Sequence, residues 1–316
     1  MNRLKRIYIL LSLFFSVMAA VPAHAEENNI SVAYLYNLSD FDGTIPYNNA
    51  RTFVDEAHGE TYVVSSGGVD IYNATGMQVY HFDYDRELGG VFDAAVDDNG
   101  DILLLTYKDG TYRIVQCNYR GEPRSYIELK DLPPDFEGFR TNRMVYRAGR
   151  IYLANQAEMR VVVTDANASF LKGYDLATMF NFTDQQRMDS GVDGFTVDNK
   201  GNMLFTIPAL GRAYRCPPDG TIIEFGKRGS GPGKFGVPSG IAADKAGNLL
   251  ITDKLRGVVM IFDKELKFVK EFGFRGLRPG NLIVPNEITV DTVTNRVYVS
   301  QMRRRGVNIY QLSYGE

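Results

Sequence analysis

Histidine is nearly absent from this sequence: three occur in 316 residues, at positions 24, 58 and 81. Chemistry that relies on imidazole, whether to hold zinc or to move a proton, therefore has very few candidates. Cysteine is equally scarce. The two present, Cys117 and Cys216, form no C-x-x-C-H, which excludes a c-type haem attached to the chain itself. No Ser, Cys or Lys stands in a recognisable nucleophile motif. Basic residues do not outnumber acidic ones, with 35 Lys and Arg against 38 Asp and Glu. An apolar run of membrane-spanning length is missing as well, since the longest, Ile7 to Val17, is too short for a comfortable span.

That run belongs to a leader. Arg3, Lys5 and Arg6 form a positive start, and Ala23-His24-Ala25 is a small-x-small cleavage site, so the mature chain is expected to begin at Glu26. No cysteine lies near the cleavage site, which argues against a lipoprotein anchor. The expectation is a soluble periplasmic or secreted protein. Removing the leader takes three of the 35 basic residues and no acid, leaving 32 against 38 and a net charge of about −6. An exported acidic chain is not expected to bind nucleic acid. Export would permit a disulfide, but the repeats described next put Cys117 and Cys216 on outer strands two units apart. A separation on the order of 20 Å is beyond disulfide reach, so two buried thiols are expected.

What the chain has in quantity is repetition. Residues 225–276 contain a Gly-rich approach, a short run ending in an acid (IAAD), a tight turn (KAGN), and apolar strands LLITD, VVMIF and KFVKEF. The acid-then-turn signal recurs at Asp55, Asp97, Asp198, Asp244 and Asp291, with Arg147 at the corresponding place in a worn third unit. The spacings are 42, 50, 51, 46 and 47 residues, a repeat period that indicates an array of supersecondary units. Short strands punctuated by Gly and Asp/Asn turns make the units all-β. Four-stranded sheets set radially form a propeller, which leaves only short protected edges. Six units use nearly all of the 291 residues after the leader, giving one domain, 26–316. The sixth unit lacks an outer strand. Ser31 to Tyr36 is an orphan strand expected to complete it and lock the ring. Thr178 to Ser190 is the one stretch with helical character.

The wording P-S-G-I-A-A-D followed by G-N-L, with Gly-rich approaches, resembles the NHL repeat, most clearly over residues 191–312. The resemblance implies a six-bladed propeller with a central channel. It also implies a binding face, made by the loops entering each first strand and those joining second and third strands. NHL proteins mostly bind protein, RNA or small molecules there, and exported bacterial relatives resemble accessories of extracytoplasmic assemblies. A minority of six-bladed relatives are enzymes, including the gluconolactonase group and peptide-amidating lyases.

Aligning the repeats places Arg51, Asp93, Arg143, Gly194, Gly240 and Glu287 at the channel mouth. Asn155, Asp253 and Gln301 are among the residues closing the following strands. Two readings apply: a ligand site, or a solvated channel in which Arg51, Asp93, Arg143 and Glu287 satisfy one another. Asp193-Gly194 and Pro285-Asn286 are similar to metal-binding stretches of the gluconolactonase group, which would make Asp193, Asn286 and Glu287 a Ca²⁺ set of hard oxygens. Against this, the order of the two stretches is reversed, and Arg51 stands where that group has a ligand Glu. Histidine fits the amidating lyases poorly, with His58 in a turn on the opposite face and His81 in an outer strand. Residues 226–234 (GKRGSGPGK) are not a phosphate loop, because Phe235 follows Lys234 where Ser or Thr is required.

Arg303, Arg304 and Arg305 fall in a short loop of the sixth unit, on the same face as the mouth. Lys254 and Arg256 occupy the equivalent loop of the fifth, with Lys227, Arg228 and Lys234 on the approach to it. This basic sector on an acidic protein suits an anionic partner: an acidic protein surface, an anionic glycan or haem propionates. The expected function is non-catalytic binding through that face, with no cofactor. A Ca²⁺-dependent lactonase-like hydrolase is the alternative.

Overall fold

The acid-then-turn signals fall where hairpins form. The computed structural model describes residues 30–40, 42–66, 68–83 and 88–315, so the expected leader and cleavage site lie outside the described residues. Six four-stranded antiparallel sheets follow one another along the chain. Their first strands are Arg51–Asp55, Gly90–Val96, Arg143–Arg147, Phe195–Val197, Pro238–Ala243 and Pro285–Asp291. The sheets form a six-bladed β-propeller. Blade six is completed from the other end of the chain, by Ile30–Asn37 pairing antiparallel with Val307–Tyr314. The expected orphan strand is thus the closing strand.

The inner strands are apolar on both faces because each blade is covered by a neighbour on either side, whereas outer strands such as Pro123–Ile127 are largely exposed. In the second strand of blade two, Ile102 and Leu104 pack toward blade one, while Leu103 and Leu105 pack toward blade three. This is the period-two alternation of a strand with no solvent face. Each of the six interfaces between successive blades carries its own apolar cluster. The interface that closes the ring buries Tyr47, Tyr72, Tyr298, Val307 and Ile309. The Tyr47 hydroxyl donates to Asp70 Oδ2 at 2.7 Å and is also bonded to the Tyr72 hydroxyl. Desolvation in this apolar setting holds Tyr47 neutral, far above the ordinary tyrosine range.

At five blades the acid closing the first strand folds back on its own turn. Asp244 Oδ1 accepts from Ala246 N and Asn248 N at 2.9 and 2.8 Å, and Oδ2 accepts from Asn248 Nδ2 at 2.7 Å. Asp55, Asp97, Asp198 and Asp291 do the same with their own turns. Such side-chain-to-backbone bonds explain why the signal is Asp and not merely polar. Blade three departs. Arg147 pairs with Arg150 across a two-residue turn, with Ala148 at φ 50° and Gly149 at φ 70°. That is hairpin geometry that needs no acid.

The helical stretch between blades three and four contains two helices, Leu176–Met179 and Asp184–Ser190, the second opened by a Thr183–Gln186 capping box. Cys117 and Cys216 close the third strands of blades two and four, one position inside the outer strands expected for them. Both are free and buried. Among the described residues no helix is long and apolar enough to cross a membrane.

Candidate functional site

The mouth of the channel is closed by charge. Arg51, Asp93, Arg143 and Glu287, from blades one, two, three and six, meet across the axis. Arg51 Nη1 lies 3.3 Å from Asp93 Oδ2, Arg143 Nη2 lies 3.3 Å from Glu287 Oε2, and Arg143 Nε lies 3.6 Å from Asp93 Oδ2. Backbone groups fill the remaining valences. Arg51 Nη1 donates to the carbonyls of Phe92 and Asn142, Arg143 Nε donates to the Phe195 carbonyl, and Asp93 Oδ2 accepts from Met144 N at 2.9 Å. Burial works against the charge of Arg143, but Glu287, Asp93 and Asp193 outweigh it and push its pKa up.

Blades four and five contribute no charge to this set for a steric reason. A Cβ on Gly194 would stand 2.2 Å from the Ser239 carbonyl oxygen, and one on Gly240 would stand 2.8 Å from that of Asn286. Backbones of neighbouring blades approach too closely there for any side chain. The four charged residues act as a septum. Above it, on the mouth side, a cavity of about 280 Å³ is lined by Asn49, Gln156, Asp193, Lys254, Asn286 and Met302, with Arg51 and Glu287 as its floor. Below it lies a larger cavity of about 730 Å³, reached from the opposite face and floored by Asp93 and Arg143.

The upper cavity brings together the three residues of the calcium alternative, yet their valences are largely engaged. Lys254 Nζ sits 2.5 Å from Asp193 Oδ2, and the Asp193 carbonyl accepts from Gln156. Asn286 donates to Asn49, and Glu287 is held by Arg143 and Arg51. Three fixed cations around two carboxylates oppose a divalent ion electrostatically. Among the described residues no group of three or more His, Cys, Asp and Glu side chains is placed to hold a metal.

Three candidates for partner contact prove to be internal braces. Asp253 is fully buried: its Oδ2 accepts from Gly236 N at 2.6 Å, and its Oδ1 accepts from Leu255 N and Arg256 N at 3.0 and 2.9 Å. Gln301, also buried, accepts from Ile283 N at 2.7 Å and donates to the Arg305 carbonyl. Both do the same work, fastening the incoming approach loop to the end of a second strand. Asn155 caps its own turn by accepting from Glu158 N.

The basic sector is smaller than its sequence. Arg256 is committed to Glu271 at 2.7 Å and to the Lys234 carbonyl, and Lys254 to Asp193. Arg305 is half-buried, donating to the Leu277 carbonyl. Arg303 and Arg304 are exposed, at the rim of the upper cavity beside Met302. Their φ angles of 59° and 55° are left-handed, a conformation that costs a non-glycine residue about 1–2 kcal/mol. Glycine or asparagine would fit more cheaply, and arginine is nonetheless present.

The histidines lie away from the mouth. His58 Nδ1 is bonded to Asp55 Oδ2 in a turn of the opposite face. His81, on the outer strand of blade one, bridges Asp70 Oδ1 at 2.6 Å and Asp83 Oδ1 at 2.8 Å. Burial pushes both thiols up, to about 11 for Cys117 and Cys216 alike.

No family model matches the chain. Over 60 residues, 19% of the chain, it is 40% identical to Protein lin-41 of Caenorhabditis elegans, a stretch that makes up 5% of that protein. Among solved structures it is similar to an auxiliary nutrient binding protein from Bacteroides ovatus, with a TM-score of 0.61 and 14% identity over 92% of this chain and 78% of that one. A catalytically inactive variant of virginiamycin B lyase from Staphylococcus aureus, bound to quinupristin, gives a TM-score of 0.56 and 15% identity over 91% and 100%. At such identities the likeness shows the fold alone: this is a six-bladed β-propeller whose structural neighbours include an enzyme and a binding protein.

Proposed function

We propose that the protein is an exported, non-catalytic binding scaffold that receives an anionic partner, an acidic protein surface, on its channel-mouth face. Export rests on the leader read in residues 1–25. The observation that carries the binding reading is the septum. Each carboxylate at the mouth that could serve as base, nucleophile or metal ligand already faces a cation: Asp93 and Glu287 face arginines, and Asp193 faces Lys254. A carboxylate whose oxygens are engaged by a cation within the fold is not free to engage a substrate proton or a metal. Arg303 and Arg304 at the rim, by contrast, carry exposed charges.

Histidine placement supports the same reading over a lyase. The inactive lyase variant named above has one histidine replaced by alanine. In this chain His58 and His81 are both remote from the upper cavity. One observation favours a hydrolase as the second reading, namely that Asp193, Asn286 and Glu287 share a single cavity.

The test compares the leader-less chain with its Arg303→Glu/Arg304→Glu variant in affinity capture from the extracytoplasmic fraction. Loss of a partner with an unchanged circular dichroism spectrum supports the scaffold. Capture that survives the reversal removes the loop as the site. Turnover of a lactone or ester by the unmodified chain would move the function to the hydrolase.

A further inference from the structure

The lower cavity is the larger of the two, and the mouth-face reading leaves it unused. Its volume of about 730 Å³ falls within the few hundred to a thousand Å³ typical of small-molecule sites. The septum makes it blind: Asp93 and Arg143 form its floor, and entry is from the face opposite the mouth.

The charge on its wall follows from the turns. Asp55, Asp97, Asp198 and Asp244 line it, but each carboxylate is already bonded to the backbone of its own turn. His58 further covers Asp55, and Tyr314 covers Asp244. Those bonds hold the acids in place without removing their charge, and with Glu56, Asp93, Asp98 and Glu265 the lining carries eight carboxylates against six cations. Blade three breaks the ring, placing Arg147 where the others have Asp. Among the described residues Arg147 has no ion-pair partner, and its Nε is buried with no hydrogen-bond acceptor. A buried guanidinium N–H without an acceptor is costly, and an oxyanion entering the cavity would supply one. Beside it on blade four, Lys200 is an exposed lysine with no ion-pair partner among the described residues. Arg215 Nη1 continues the basic arc and donates to the Lys264 carbonyl at 3.1 Å, while Lys264 Nζ lies 3.9 Å from Glu265 Oε1. Asp98, on the neighbouring turn of blade two, lies beside the blade-three turn and accepts from the Tyr146 hydroxyl at 2.9 Å.

The geometry points to a second binding site, independent of the mouth: the lower cavity takes a small organic anion, carboxylate- or phosphate-bearing, whose charged group is received by Arg147 with Lys200 and Arg215. A guanidinium matches either oxyanion bidentately, which a lysine at this position would not. The missing acid of blade three, which looks like wear in the repeat, is then what makes one sector of an otherwise acidic wall positive.

The full leader-less chain is titrated with citrate and, separately, with inorganic phosphate, at an ionic strength held constant with sodium chloride. Thermal unfolding and calorimetry are the readouts. The expected result is a saturable rise in melting temperature with at least one anion. Response to citrate alone assigns the site to carboxylates, and response to phosphate alone assigns it to phosphate esters. Arg147→Glu weakens binding about tenfold or more, Arg147→Lys retains part of it, and Arg303→Glu/Arg304→Glu leaves it unchanged. Lys200→Glu serves as a second variant should Arg147→Glu fail to fold. The proposal is overturned if neither anion gives a saturable response. It is equally overturned by a response that both glutamate variants preserve, which would reflect general exclusion of these salts from the surface.

Discussion

Arg143 of blade three and Glu287 of blade six face each other across the channel axis, Nη2 to Oε2, at 3.3 Å. Both are at least nine-tenths buried, and each also touches a second member of the septum: Arg143 reaches Asp93, and Glu287 reaches Arg51. Removing one charge strands its partner. Arg143→Met is therefore expected to destabilise the fold by about 3–5 kcal/mol, read from urea unfolding. The double change Arg143→Met/Glu287→Met should recover part of that loss. A single substitution without measurable cost would show that the septum is solvated.

Asp253 fastens four backbone N–H groups, those of Gly236, Val237, Leu255 and Arg256. Asp253→Ala leaves them buried without an acceptor, at a cost of about 2–4 kcal/mol by the usual penalty for unmade bonds. Asp193→Ala, on a half-exposed pair, is expected to cost well under half as much by the same measurement. Equal costs would return Asp253 to the list of ligand candidates.

Calcium added after chelator treatment is expected to leave the melting temperature unchanged, because Lys254 and two arginines occupy the ground a divalent ion would need. A saturable rise that disappears in Asp193→Ala would favour the hydrolase and call for a lactone screen.

His81 is the clearest pH-dependent element. Burial lowers its pKa, but bonds to Asp83 and Asp70 outweigh that and leave it above the ordinary 6.5. A raised folded-state pKa stabilises fully below the unfolded value and loses its contribution as pH rises through the folded one. The stability gap between the parent chain and His81→Gln should therefore be widest in mildly acidic solution and should close toward alkaline pH. An NMR titration midpoint at or below 6.5 would contradict the geometry.

Burial and a pKa near 11 make Cys117 and Cys216 poor nucleophiles. Iodoacetamide at near-neutral pH should modify neither in the folded chain and both in denaturant, as read by intact mass. Rapid labelling of the native protein would contradict their placement in the inter-blade clusters.

The blades were legible because each hairpin announces itself locally. An Asp that bonds its own turn, as Asp244 does, leaves a mark within five residues, and the apolar strands beside it have no solvent face. The closing strand was legible by elimination, since blade six lacked a partner and Ser31 to Tyr36 lacked a sheet. The site was harder to read. Arg51, Asp93, Arg143 and Glu287 could be aligned at one level, and their mutual satisfaction was one of two readings weighed. Alignment places residues at a level but does not say which way a long side chain turns. Asp253 and Gln301 looked like ligand residues because an acceptor for backbone N–H groups has the same composition as an acceptor for a partner. Arg256 looked free because Glu271, its companion at 2.7 Å, arrives from an outer strand of the same blade. Arg147 was visible as the place where the repeat fails, but its unpaired Nε appears only once the cavity around it is built.

The pairing that completes blade six has a mechanical consequence. Ile30 lies opposite Tyr314 and Asn37 opposite Asn308, so the two strands run antiparallel and their outermost residues leave the disc at the same edge. Force drawing those ends apart loads the ladder one rung at a time, as a zipper, and not all rungs together as a shear joint would. The ring is stitched against thermal opening by a full strand, yet under tension between its ends it opens first at this seam.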